Sequence, residues 1–309
     1  TEQVIGQAPD ISQTGLDEAV VAARAAFPTW RATPLAERQH RVWKLGEKIA
    51  ENAEHIAQLL TLEQGKPLAD ARGEVAAATY WLTEVAKQDV PVEIVADRPD
   101  RRIETHHVPL GVVGGLVPWN FPVGLAAWKI APALVAGNTL ILKPSPFTPL
   151  STLLIGEIGR DVFPPGVFNV ISGSDRLGPW MTAHPGIDKI SFTGSTRTGR
   201  AIMRGAADTL KRITLELGGN DPAIVLDDVD VEAIVPRLFW AAFANNAQFC
   251  LASKRMYVHD AIYDRFAAAL VDFASRVVLG AGQYPASQLG PLQNRQQFER
   301  MRTLLEDAT

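Results

Sequence analysis

The only cysteine in the 309 residues is Cys250, at the end of Phe243-Ala244-Asn245-Asn246-Ala247-Gln248-Phe249-Cys250. The apolar run Leu238-Phe239-Trp240-Ala241-Ala242-Phe243 breaks into amides just ahead of it. A sulfur at the edge of a core with polar groups close by suits a nucleophile, and it equally suits an inert buried thiol. Glu216 stands 34 residues earlier, between apolar neighbours and Gly218-Gly219. A carboxylate desolvated at such a place can act as a general base. The turn Gly194-Ser195-Thr196-Arg197-Thr198-Gly199 offers close-approaching backbone and helix N–H groups to a phosphate. A Ser/Thr N-cap on a plain helix is the other reading. Neither a G-x-G-x-x-G fingerprint nor a Walker loop is present. Lys143 reads as a group for ribose hydroxyls or phosphate, or as a solvated lysine. The pair His106-His107 lies on an expected strand, where neighbours point to opposite faces, so no metal site is expected.

The elements that would position these groups follow from periodicity. Residues 1–10 read as a polar, loose start. Leu16, Ala19, Val20, Ala23 and Phe27 mark a first helix that Pro28 is expected to close. Two amphipathic helices over 35–65 end at Gly65-Lys66-Pro67, and an alanine-rich helix covers 68–88. Extended segments are expected at Val90–Val95 and Arg102–Val108, around a charged turn from Asp97 to Arg101. From Gly111 short apolar runs alternate with helices of about a dozen residues, which argues for parallel βαβ units and an open α/β sheet. Strands at 111–117, 139–142, 167–171, 189–193 and 213–216 deliver Pro118-Trp119-Asn120, Lys143-Pro144, Gly194-Ser195 and Glu216 to one rim. Open α/β sheets bind ligands outside those carboxyl ends. Beyond Gly219 a second region reads strand 223–226, helix 230–244 kinked at Pro236, strand 256–259 and helix 262–278.

Bulk properties narrow the class. With 47% hydrophobic and 21% charged residues, the chain has the composition of a soluble globular protein of one or two domains. A net charge of −4 gives no global basic field toward nucleic acid or an anionic membrane. One cysteine excludes an intramolecular disulfide, and no apolar run approaches the roughly 18 residues of a membrane span. A cytoplasmic setting is the expectation, with a removed leader left open because the chain starts at Thr1.

Pro118-Trp119-Asn120-Phe121-Pro122, Lys143-Pro144-Ser145, Phe192-Thr193-Gly194-Ser195-Thr196, Leu215-Glu216-Leu217-Gly218-Gly219-Asn220 and the Phe243 to Cys250 run occur in this order. They resemble the successive signatures of the NAD(P)-dependent aldehyde dehydrogenase superfamily over residues 15–309. The resemblance implies a Rossmann-like dinucleotide domain (1–89 and 111–219), an oligomerisation-type β-hairpin (90–110) and an incomplete α/β catalytic domain (220–309). It also implies aldehyde oxidation in which Cys250 attacks the carbonyl, Asn120 and the Cys250 N–H hold the oxyanion, and Glu216 activates water to hydrolyse the thioester. NAD or NADP would lie along Pro118, Trp119, Lys143, Ser145, Pro146, Gly173, Thr193, Gly194, Ser195, Gly199 and Leu217. A homo-oligomer is implied for the full-length protein.

Three departures stand out against that family. Ala247 replaces the usual glycine before Gln-x-Cys, which predicts a modest change in loop freedom. Pro146 stands where NAD-preferring members often carry a glutamate, which opens NADP use. The chain also ends about a third short of a family member, so the rest of the catalytic domain is expected to be missing. Two other readings remain at this point: a CoA-acylating relative, and a non-catalytic dinucleotide-binding fragment.

Overall fold

The computed structural model describes residues 4–308, which divide into two compact units. The first takes the chain up to Ile56 and then Arg72–Glu216; the second takes Ala57–Ala71 and the chain from Leu217 onward. The 1–89 segment of the expected dinucleotide domain is therefore shared, with 57–71 packing among the later residues.

Helix α1 (Gln13–Ala32) buries Leu16, Val20, Ala23 and Trp30 along one face. It runs through Pro28 and does not stop there, which corrects the expected end. Pro28 lies on the exposed face and forfeits one backbone hydrogen bond, while Trp30 beyond it is 1% exposed and meets Phe163 edge-on at 5.9 Å. Burying an aromatic of that size stabilises the last turn by about 2–3 kcal/mol, enough to offset the missing bond. The expected loose start is pinned at its end, because the Ile11 N–H donates to the Ser172 carbonyl and the Ser174 N–H to Asp10 Oδ1 at 2.8 Å. Residues 1–3 lie outside the described residues.

Helices α2 (Leu35–Glu51), α3 (Ala53–Gln64) and α4 (Leu68–Val85) follow, with Gly65 at φ +98° breaking α3 from α4. Strands β1 (Glu93–Arg98) and β2 (Arg101–Thr105) form an antiparallel hairpin with a bulge between Ile94 and Ala96. The hairpin falls a few residues from the expected segments, and His106 and His107 lie past its end. Nearly every residue of both strands is exposed, so no buried face fixes their register.

The first unit is built on a five-stranded parallel sheet in the order β5-β4-β3-β6-β7. Its elements alternate as β3 (Val112–Leu116), α5 (Pro122–Val135), β4 (Thr139–Lys143), α6 (Leu150–Arg160), β5 (Phe168–Val170), α7 (Leu177–Ala183), β6 (Lys189–Thr193), α8 (Thr196–Ala207) and β7 (Arg212–Glu216). Helices α2, α5 and α6 cover one face, and α1, α7 and α8 the other. The central strand β3 and its neighbour β4 are buried throughout. The strand order reverses between β3 and β6, and a crevice at such a switch point is where open α/β sheets take ligands.

The second unit pairs β8 (Pro222–Val225) with β9 (Arg255–Val258) in parallel. Helices α9 (Val231–Phe243) and α10 (Tyr263–Ser275) pack around Val225, Val231, Val235 and Phe266. An exposed helix, α11 (Arg295–Ala308), closes the described chain. Among the described residues, no helix is long and apolar enough to cross a membrane.

Candidate functional site

In the first unit the carboxyl edge of the sheet gathers the expected groups. Past β3 the Val117 N–H donates to the Lys143 carbonyl at 2.9 Å and the chain turns through half-buried Pro118, Trp119 and Asn120. Asn120 Oδ1 accepts the Phe121 N–H at 3.0 Å. Pro122 opens α5, where its missing N–H costs nothing. The buried carboxylate of Glu74, from α4, accepts the Val123 and Gly124 N–H groups at 2.9 and 3.0 Å. That charged cap bolts the helix start immediately after Asn120. Sequence reasoning missed Glu74.

At the end of β4, Lys143 is 7% exposed and donates from Nζ to the Pro144 carbonyl at 3.1 Å. Burial lowers its pKa, against the opposing fields of Asp175 and Asp10. Ser145 is buried and its Oγ accepts the Phe147 N–H at 3.3 Å, whereas Pro146 is exposed. Gly173 is buried close to Leu177 and Asp10.

Thr193, ending β6, is registered opposite Glu216, ending β7, and the Gly194 N–H donates to the Glu216 carbonyl at 2.9 Å. Glu216 itself is exposed at this strand end, which corrects the expected desolvation of its carboxylate, because β7 is the edge strand of the sheet. A Cβ on Gly194 would lie 2.4 Å from the tip of the Phe192 ring, so a larger residue here would have to push that ring aside. Ser195 is the N-cap of α8: its Oγ accepts the Thr198 N–H at 3.1 Å and shares a hydrogen bond with Thr198 Oγ1. The plain N-cap geometry is thus realised, and the exposed helix start keeps its positive end toward the rim. Gly199 is buried on α8.

A second missed residue lies beneath this edge. Lys129, on α5, is 6% exposed and donates to Thr193 Oγ1 at 2.9 Å and Ser191 Oγ at 3.3 Å. Desolvation pulls its pKa down from 10.5 to about 8, the Glu216 field opposing and Lys189 adding to the fall. An ammonium poised near neutrality, linked through Thr193 to the strand pair that ends in Glu216, can hold or release a proton there. Lys129 is the only charged residue of α5, and that was the signal available in the sequence.

In the second unit, Cys250 is a half-buried free thiol. Its approach is conformationally unusual: Asn245, Asn246 and Ala247 follow one another in the left-handed region, at φ 48°, 57° and 58°. Asparagine tolerates that region, but for Ala247 the conformation costs about 1–2 kcal/mol. The methyl that departs from the family pattern therefore sits on a strained residue. Gly219 passes so close that a Cβ there would be 2.5 Å from the Cys250 carbonyl oxygen. Lys254 Nζ donates to the carbonyls of Phe249 at 2.9 Å and Gly219 at 3.3 Å, tying the two strips together. Leu217, just past Glu216, is half-buried.

His106 Nε2 lies 2.9 Å from Glu104 Oε2 at the exposed end of the hairpin. Among the described residues, no group of three or more His, Cys, Asp and Glu side chains could hold a metal ion.

Comparison with known proteins gives whole-chain matches. Aldehyde dehydrogenase LUC3 of Fusarium sp is 41% identical over 308 residues, covering 100% of this chain and 64% of that protein. The NADP(+) succinate-semialdehyde dehydrogenase GabD of Escherichia coli is 38% identical over 309 residues, covering 98% and 64%. The crystal structure of Staphylococcus aureus betaine aldehyde dehydrogenase in complex with NAD+ superposes with a TM-score of 0.94 at 33% identity, over 99% of this chain and 62% of that one. The chain thus spans a little under two thirds of the length of the curated relatives it matches. The family model described as Aldehyde dehydrogenase family matches residues 1–309 without interruption. With the strand-end motifs and the cysteine turn inside that match, the chain belongs to the aldehyde dehydrogenase family.

Proposed function

We propose that this chain oxidises an aldehyde to a carboxylic acid with NAD+ or NADP+ through a covalent adduct on Cys250. The observation that carries the reading is the carboxyl rim of the parallel sheet. Asn120 follows β3, Lys143 ends β4 and Glu216 ends β7, all around a strand-order reversal.

The residues present fit a dinucleotide. A buried cation at Lys143, the hydroxyl-bearing start of α8 at Ser195 and the glycine bend at Gly194 are the donor types that hold ribose hydroxyls and a pyrophosphate. Pro118, Trp119, Ser145, Pro146, Gly173, Thr193, Gly199 and Leu217 complete the surface proposed for it. When bound, the dinucleotide supplies the two-electron acceptor. Cys250 as thiolate adds to the aldehyde carbonyl and forms a thiohemiacetal. The Asn120 side-chain amide and the Cys250 N–H stabilise its oxyanion, each such donor lowering the barrier by about 3 kcal/mol. Oxidation of the adduct leaves a thioester, and Glu216 takes a proton from the water that hydrolyses it. The carboxylate at Glu216 favours water over a thiol as the acyl acceptor.

An exposed hairpin carrying Ile94, Val95 and Ile103 supports assembly of the full-length protein through β1 and β2. A single cysteine and a net charge of −4 accord with a cytoplasmic location.

The test is the rise in near-ultraviolet absorbance of reduced nicotinamide when aldehyde is added with NAD+ or NADP+. Cys250→Ala is expected to abolish the signal. Glu216→Gln is expected to give one turnover and then accumulate the acyl-enzyme, visible as added mass on the protein. Undiminished turnover in the Cys250→Ala protein would overturn the reading.

A further inference from the structure

The residues that hold the cysteine turn in its left-handed shape form a closed ring of amides, and one of them comes from a helix 186 residues earlier. Gln64, the last residue of α3, is 2% exposed. Its Nε2 donates to Asn245 Oδ1 at 3.2 Å, and its Oε1 accepts the Lys66 N–H at 2.8 Å. Both ends of the amide are engaged, so its orientation is fixed. Asn245, itself 6% exposed, accepts on its carbonyl from Gln248 Nε2 at 2.9 Å. Gln248 Oε1 then accepts the Gln293 N–H at 3.0 Å, and Gln293 Nε2 donates to the Glu63 carbonyl at 3.3 Å. The path leaves α3 at Gln64, passes through the turn and returns to α3 at Glu63.

The backbone around the ring is packed as tightly. A Cβ on Gly290 would lie 2.1 Å from the Gly65 carbonyl oxygen, and one on Gly282 2.2 Å from that of Lys66. The Leu68 N–H donates to the Gly282 carbonyl at 3.0 Å. Such close approach explains why residues 57–71, the end of α3 and the start of α4, pack with the second unit while the rest of both helices belongs to the first.

We propose that Gln64 is a positioning residue for the Cys250 thiol, acting through Asn245 and Gln248 to hold the left-handed turn that presents the sulfur. The proposal rests on the reading of Cys250 as nucleophile and adds to it a residue that never meets substrate. Three consecutive non-glycine residues at positive φ do not hold themselves: each has an ordinary right-handed alternative, and a buried polar side chain held at both ends is what selects against it. A hydrophobic side chain of the same length fills the space and cannot hold the turn.

Because Cys250 is the only cysteine, alkylation by iodoacetamide followed by intact mass reports on it alone. The rate constant is measured on the 309-residue chain folded and again in urea, for the wild type, Gln64→Met and Gln64→Glu. In urea the three react alike, since the peptide around the sulfur is the same. The folded-to-urea ratio of the wild type is expected to differ from one by about tenfold or more, as for a thiol in a fixed environment. Gln64→Met is expected to bring the ratio within about threefold of one while remaining folded by circular dichroism at the assay temperature. Gln64→Glu keeps the acceptor for the Lys66 N–H and lets the Asn245 amide turn over to donate, so it is expected to restore the wild-type ratio. A purely structural role would lower the melting temperature of Gln64→Met and leave the ratio of its folded state unchanged. That result, or a wild-type ratio near one, overturns the proposal. Should Gln64→Met fail to fold, Gln293→Ala, which opens the ring on its other side, is judged by the same criterion. Aldehyde turnover that survives Cys250→Ala would sink the nucleophile reading separately, whatever the alkylation ratios show.

Discussion

Replacing Lys129 by methionine should change how stability responds to pH, in a direction the buried site dictates. The folded protein holds this lysine with a pKa near 8, against 10.5 for the ordinary side chain, chiefly because burial penalises the charge. Between those values the unfolded chain binds more protons at this position than the folded one, so stability rises with pH. The penalty is complete below about pH 8 and is relieved as pH climbs toward 10.5. A shift of this size amounts to about 3 kcal/mol at neutral pH, of which about 2 kcal/mol is recovered by about pH 9.5. Lys129→Met removes the titration entirely. It also leaves the Thr193 and Ser191 hydroxyls without the donor they share, a loss independent of pH in this range.

The assay is urea unfolding of both proteins at pH 7 and about pH 9.5. The wild type is expected to gain about 2 kcal/mol more than Lys129→Met over that interval. Lys143 and Lys211, whose pKa values burial also lowers, titrate in both proteins and cancel in the comparison. Parallel changes in the two proteins would refute the reasoning, since they would mean that Lys129 titrates in the fold as it does in water. A gain by the variant relative to the wild type would refute it more sharply, because it would require the folded state to favour the ammonium.

Other expectations follow from single side chains. Ala247→Gly relieves the strain at φ 58° but adds unfolded-state freedom of about 0.5–1 kcal/mol, so urea unfolding should show a stability change no larger than about 1 kcal/mol. Glu74→Ala strips two N–H groups at the start of α5 of their buried acceptor; a loss of about 2–3 kcal/mol is expected in thermal or urea unfolding, with Glu74→Gln recovering part of it. Pro146→Glu places a carboxylate beside the proposed ribose site and should weaken NADP+ relative to NAD+ by about tenfold in titration calorimetry, about 1.4 kcal/mol of repulsion. An unchanged ratio of the two affinities would place the adenosine ribose elsewhere.

The strands and their ends were legible in the sequence because buried parallel strands are short apolar runs with nothing else to be. Lys189–Thr193 and the residues issuing from each strand, Asn120, Lys143, Gly194 and Glu216, could be read from local pattern alone. Local pattern failed where a distant partner decides. Pro28 is a helix breaker by every nearby signal, and it is overruled by a tryptophan two residues on that packs against Phe163. The hairpin strands slid by a few residues because exposed faces leave register to the turn. Within the site the same division holds. Residues expected to touch ligand lie in motifs, since their chemistry and their backbone are specified together. Glu74, Lys129 and Gln64 lie in ordinary helices, and their partners at Val123, Thr193 and Asn245 are tens to hundreds of residues away. A helix shows in its sequence which side is buried. It does not show that one buried polar end will meet a hydroxyl or an amide from another part of the chain, and a buried polar group without that partner would destabilise the fold. Lys129 alone gave a hint, as the one charge in an apolar helix. The fold sustains a desolvation penalty at Lys129 that methionine or leucine would avoid, and what it gains is a donor shared by the Ser191 and Thr193 hydroxyls of β6, beside the strand that ends in Glu216.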